Sequence, residues 1–183
     1  MAVWIADAHV LAVVAVGSAV RDVPNPSDAD FVIIWDGGRP KSGHPPVEID
    51  LRFYECSRAE ALIAGGNDYL QWAVRLGEPV HEKRGFWTQF ARSWIRAAPW
   101  PDPADADKRA ERAERYERDL AAAGDQDAAA EQRISGLTHR ARGRLLRAGV
   151  FPASRPELPM QLKEIGEPIL AEELERALGE RLA

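Results

Sequence analysis

Three aspartates and one Gly-Ser pair are the residues of this chain best suited to chemistry. Asp28 and Asp30 stand in Ser27-Asp28-Ala29-Asp30, at the mouth of the apolar run Phe31-Val32-Ile33-Ile34-Trp35. Two residues apart on an extended strand, they point to one face with Cα atoms ~7 Å apart. Carboxylates so placed repel each other and are tolerated where a divalent cation sits between them. Asp50 is a third acid. If its strand lies beside that of the Asp pair, three carboxylates converge. Gly17-Ser18 closes another apolar run, Val10 to Val16. Such a turn offers close backbone approach, N–H groups and a hydroxyl to phosphate oxygens. Carboxylates and phosphates are hard ligands suited to Mg²⁺, and two such ions ~3.5–4 Å apart serve phosphoryl chemistry. The chain contains no G-x-x-x-x-G-K-[ST] phosphate loop.

These residues need strands to hold them. Val10–Val16 and Phe31–Trp35 read as buried strands ended by Gly-containing turns. Residues 39–46, rich in Gly and Pro, read as a loop. Residues 47–54 alternate, with Val47, Ile49, Leu51 and Phe53 on one side and Glu48, Asp50, Arg52 and Tyr54 on the other. That is a strand with one buried face. Ser57 is placed to cap a helix from Arg58, with Glu60 at its third position. Asn67–Leu76 reads as a helix with Leu70, Ala73 and Val74 inward. Phe86–Ala98 reads as another, with Phe86, Phe90, Trp94 and Ile95 on a shared stripe. Trp87 and Trp94 read as core or interface residues.

Pro99-Trp100-Pro101-Asp102-Pro103 breaks this organisation, because clustered prolines cannot continue a helix. Beyond it the chain is rich in Ala, Arg, Glu and Leu. A helix is expected over Asp105–Ala123, with Ala110, Ala113, Tyr116 and Leu120 inward and Gly124 as its stop. A second is expected over Asp127–Ala148, capped by Asp125 and stopped by Gly149, with Ile134, Leu137, Ala141 and Leu145 inward. A last helix should start near Pro159 or Glu167 and reach Leu182. The expected fold is α/β (α+β): a small mixed sheet with flanking helices in residues 1–98, a Pro-rich linker in 99–104, and a helical bundle in 105–183. Three helices with short loops need a further apolar surface, from the first half or a second subunit.

Composition narrows the class. The chain has 183 residues, 45% of them hydrophobic and 29% charged, so wholesale disorder is not expected. A single cysteine, Cys56, excludes an internal disulfide or a zinc site with two cysteines. His9, His44, His81 and His139 lack zinc-ligand spacing; His44 and His81 read as solvated or locally bonded. The net charge of −5 argues against a basic DNA coat. Met1–Val20 lacks the basic start of a secretory signal, and no apolar run approaches the ~20 residues of a membrane span. The expectation is a cytoplasmic protein with no membrane partner.

The order strand, Gly-Ser, Ser-Asp-x-Asp, strand, then a lone Asp on a later strand resembles the DNA polymerase β-like nucleotidyltransferase superfamily. Within it the chain is similar to the small bacterial branch of minimal and aminoglycoside (kanamycin-type) nucleotidyltransferases. The motifs span residues 10–89, and a strand like Glu78-Pro79-Val80-His81-Glu82 commonly follows in that branch. The helical half looks like the substrate-binding domain of kanamycin-type enzymes. Two departures stand out. Asp22 occupies a position where the branch often has Gly, and only nine residues precede Val10, so the usual preceding helix should be short or missing.

The resemblance implies an enzyme that moves a nucleoside monophosphate, with AMP from ATP expected, to an acceptor hydroxyl with release of pyrophosphate. Gly17 and Ser18 match its phosphate turn, Arg21 a basic position after that turn, and Ser27 the residue before the Asp pair. Asp28, Asp30 and Asp50 match the carboxylates that bind Mg²⁺, two ions being expected. Glu131 corresponds to a helical-domain general base, with Asp127 one turn earlier. Lys83 is a further candidate for phosphate charge. The acceptor could be a small molecule such as an aminoglycoside, as in antibiotic resistance, or a protein or RNA, as in toxin–antitoxin pairs. The alternative is a non-catalytic, antitoxin-like module on the same fold, and a homodimer or a toxin partner fits either reading. Arg133 and His139 reproduce the R-x5-H spacing of HEPN ribonucleases, a pattern expected by chance in an arginine-rich helix. Arg140, Arg142, Arg144 and Arg147 read as a helix face rather than a nucleic-acid site.

Overall fold

The computed structural model describes residues 2–21, 29–41 and 49–180, apart from the side chains of Ala2, Val3, Ser18 and Ala19. The chain divides into two units, Met1–Pro101 and Asp102–Ala183.

In the first unit, a short helix α1 (Ala2–Ile5) precedes β1 (Val10–Val16). Branched side chains favour the extended backbone of β1, and Val10, Ala12, Val13, Val14 and Val16 are all buried. A strand buried on both faces belongs inside a sheet. β1 lies between β2 (Ala29–Trp35) and β4 (Glu78–Glu82), antiparallel to both. β3 (Ile49–Glu55) pairs parallel with the far edge of β2, giving the order β3-β2-β1-β4. The sheet is therefore mixed, as expected.

Period-2 alternation gives each face its own core. Ala12, Val14, Val16, Val32 and Ile34 pack with α2 (Cys56–Ala64), α3 (Asp68–Leu76) and α4 (Phe86–Ala97) through Ile63, Leu70, Val74, Trp87 and Phe90. The opposite face gathers Val10, Val13, Phe31 and Ile33 under Trp4, with Ile49, Leu51 and Phe53 half-buried beside them. Those three are the predicted apolar side of β3. Val47 and Glu48 lie outside the described residues.

Two local expectations are corrected. Ser57 does not cap α2: β3 runs straight into the helix, Glu55 is the N-cap residue, and Ser57 lies inside the first turn. Ile95 is exposed. The inward stripe of α4 is Trp87 and Phe90 with Trp94 half-buried beside them, and one residue further is ~100° around the axis. Gln71, unremarked in the sequence, is fully buried on α3, and its amide donates to the Pro99 carbonyl at 2.8 Å. As expected, Trp87 is core, and Trp94 packs against it.

The second unit has four α-helices and one short 3-10 turn among the described residues. α5 (Pro103–Ala122) starts inside the expected linker, because Pro103 can occupy the first helical turn and Asp102 caps it, its side chain accepting from the Ala104 N–H. α6 (Gln126–Arg147) is capped by Asp125 as expected, and Ile134, Leu137, Ala141 and Leu145 are buried. The inner face of α5 is Ala106, Ala110 and Ala113, whereas Tyr116 is exposed and Leu120 only half-buried. The reason lies across the seam. A Cβ on Gly136 would be 3.7 Å from the Ala113 Cβ, and one on Gly143 would be 3.6 Å from the Ala106 Cβ. The two backbones pack on small residues, leaving a tyrosine no place between them. The expected last helix is two, α7 (Leu158–Glu164) and α8 (Pro168–Glu180), separated by Gly166 at φ +81°. No described helix is long and apolar enough to cross a membrane.

Candidate functional site

Asp30 is the second residue of β2. Across β1 its register partner is Val16, and across β3 it is Asp50. Hydrogen-bonded strands lie ~4.8 Å apart, so Asp30 and Asp50 are immediate neighbours. Both point to the helical face, because Asp30 alternates with Val32 and Ile34 and Asp50 with Tyr54. β3 is parallel to β2, so both acids lie near the N-terminal ends of their strands.

Gly17 follows Val16 and turns the chain beside Asp30. Its φ is +77°, and a Cβ there would stand 2.5 Å from Asp30 Oδ2. Glycine adopts the left-handed backbone without steric cost and leaves room for this approach of the carboxylate. Gly17–Val20 continues as a single 3-10 turn, with Arg21 directly after it. Asp22, Ser27 and Asp28 lie outside the described residues, as does His44.

Acidic side chains directly opposite across strands repel. A described cation beside Asp50 is Arg52, whose Nε and Nη2 each donate to Asp50 Oδ2 at 3.4 Å. Arg52 in turn sits over the ring of Tyr69 from α3, 4.2 Å from its centroid. The Tyr69 hydroxyl is buried with no hydrogen-bond partner among the described residues. Burial pushes this phenol well above its ordinary pKa, Arg52 opposes that, and Asp30 and Asp50 add to it. Tyr69 is therefore neutral, and its attraction to Arg52 is that of a cation for a ring face. Arg52 was visible in the sequence as the next residue on the polar side of β3. Tyr69, from a separate helix, gave no signal of its place here.

Among the described residues no group of three or more His, Cys, Asp or Glu side chains could hold a metal ion. Asp30 and Asp50 provide two hard oxygen donors, and Mg²⁺ is commonly held by one or two carboxylates together with phosphate oxygens. The donor type and the glycine cradle at Asp30 fit such an ion.

Two candidates of the first unit lie away from these acids. Lys83 is at the far end of β1 from Gly17. Its ammonium donates to the carbonyls of Asp7 at 2.9 Å and Ala8 at 2.5 Å, which corrects its reading as a phosphate ligand. His81 pairs with Val13 and so faces away from Asp30. Its Nε2 is buried without a partner among the described residues, while the residue as a whole is half-exposed. Glu131 and Asp127 are exposed on α6 in the second unit. Arg133 and His139, six residues apart on that continuous helix, are ~120° apart around its axis. Arg140 pairs with Glu114 at 2.7 Å, Arg144 with Glu167 at 3.7 Å, and Arg147 with Asp107. These pairs support the helix-face reading over a bare basic patch.

No protein-family model matches the chain, and no curated protein matches it. Among solved structures, the chain is similar to the crystal structure of a nucleotidyltransferase-like protein from Exiguobacterium sibiricum 255-15. The match has 14% identity and a TM-score of 0.41, over 97% of this chain and 71% of that one.

Proposed function

We propose that this chain is a Mg²⁺-dependent nucleotidyltransferase. The supporting observation is the pairing of Asp30 with Asp50 across parallel strands, with the Gly17 turn pressed against Asp30. In this reading the Gly17-Ser18 backbone seats the triphosphate, and Asp28, Asp30 and Asp50 hold the cations. Bound Mg²⁺ would neutralise phosphate charge and favour deprotonation of the acceptor hydroxyl. The acceptor oxygen forms a bond to the α-phosphorus, the bond from that phosphorus to the bridging oxygen breaks, and pyrophosphate leaves. ATP as donor, Glu131 as general base, and Ser27 and Arg21 as nucleotide contacts carry over from the motif resemblance. The acceptor class is a small molecule, a protein or an RNA.

The test is transfer of label from each α-³²P NTP, with Mg²⁺ and a lysate of the source cells. Wild type should label one product, whose size identifies the acceptor class. The double variant Asp28→Asn/Asp30→Asn should lose at least about a hundredfold in rate. Equal labelling by the double variant would refute the assignment of these ligands. No labelling by a folded wild type would favour a non-catalytic, partner-binding role.

A further inference from the structure

The pair formed by Arg52 and Asp50 is a loose one. Both nitrogens share one carboxylate oxygen at 3.4 Å, longer than the ~2.7–2.9 Å of a tight charge-assisted bond. Both side chains are about half exposed, 47% and 49%, so water competes for each partner. The guanidinium is nevertheless held in place by the neutral Tyr69 ring. Asp50 can therefore change partner while Arg52 stays beside the site. A planar guanidinium fork matches phosphate oxygens as well as it matches carboxylates.

We propose that Arg52 is an exchangeable counterion. It pairs with Asp50 when no cation is bound, and it turns to a phosphate oxygen of the nucleotide when a divalent cation takes that carboxylate. The inference rests on the nucleotidyltransferase reading and adds an anion-binding residue to it. It also gives Tyr69 a task, that of keeping the guanidinium within reach of both partners.

Exchange predicts opposite changes in two affinities. The full-length chain is titrated with Mn²⁺ alone, followed by electron paramagnetic resonance. It is then titrated calorimetrically with α,β-methylene-ATP at saturating Mn²⁺. Arg52→Gln should bind Mn²⁺ up to about fivefold more tightly, because a competing surface ion pair is gone. It should bind the nucleotide about tenfold more weakly, because a charged phosphate contact is gone. Tyr69→Leu should weaken nucleotide binding in the same direction, and Tyr69→Phe, which keeps the ring, should restore it. Arg52→Lys provides a second variant if the Gln form fails to fold in a thermal melt; it should fall between wild type and the Gln prediction. Weakening of both affinities by Arg52→Gln would mark Arg52 as a support for Asp50 and overturn the exchange. Unchanged affinities in a variant of a competent wild type would overturn this inference alone. A wild type that binds neither Mn²⁺ nor nucleotide would overturn the nucleotidyltransferase reading and the exchange with it.

Discussion

At the scale of single residues, Gly17 has two constraints acting together. A left-handed φ costs an L-residue about 1–2 kcal/mol, and the carboxylate of Asp30 fills the space a Cβ would need. Gly17→Ala should therefore lower unfolding stability by at least about 1 kcal/mol. The check is a shifted urea midpoint at unchanged slope, and an unshifted midpoint would contradict the close approach. The site was legible here in residue types and not in contacts. Asp30, Asp50 and Gly17 were visible because each abuts an apolar strand signal. The buried Tyr69 hydroxyl was not, because its position depends on how α3 lies over β3. Lys83 was misread for a related reason: it follows a strand, but at the end of the sheet away from the Gly17 turn.

At the scale of elements, the joint between β4 and α4 carries a measurable charge effect. Glu82 accepts from the Thr88 N–H at 2.8 Å and from its hydroxyl at 2.7 Å. The Thr88 backbone bond, followed by its side-chain bond, holds the Glu82 carboxyl below its ordinary value of 4.5. A depressed carboxyl stabilises the fold above its unfolded pKa, and that stabilisation is lost as pH falls through the lower folded value. Glu82→Gln should cost about 0.5 kcal/mol at pH 7, the group being solvated. The difference from wild type should shrink in paired thermal melts as pH falls through the lowered folded value of the Glu82 carboxyl. A difference that persists at low pH would mean that charge is not the cause. Most element types were readable: β1 falls where its apolar run indicated and β4 where the family resemblance implied, and the cap at Asp125 and the stops at Gly124 and Gly149 hold. What failed were junctions and helix faces. Ser57 is a good capping residue in a place where strand passes into helix without a turn. Ile95 and Tyr116 are apolar residues just off a stripe, and periodicity alone could not say which edge of it would meet the core.

At the scale of the whole molecule, the two units draw on separate cores. Ile134, Leu137, Ala141, Leu145, Leu158, Leu162 and Leu174 form one cluster within residues 102–183. The fragment 102–183 should accordingly retain its helical circular dichroism and melt cooperatively, whereas a featureless melt would show that its core needs residues from elsewhere. The proline-rich break was legible as a change of composition. Its three prolines did not reveal that Pro103 already belongs to α5. The order of the sheet has a consequence for synthesis. β1, an uncharged Val-Leu-Ala-Val-Val-Ala-Val segment, is covered on one edge by β2 and on the other only by β4. Apolar, proline-free strands with a bare edge are templates for aggregation. A nascent or clipped chain that ends before residue 78 presents such an edge. Once β4 is added, the edge it offers carries Pro79, which lacks an N–H, between Glu78 and Glu82. The last strand to arrive thus also acts as the gatekeeper of the sheet.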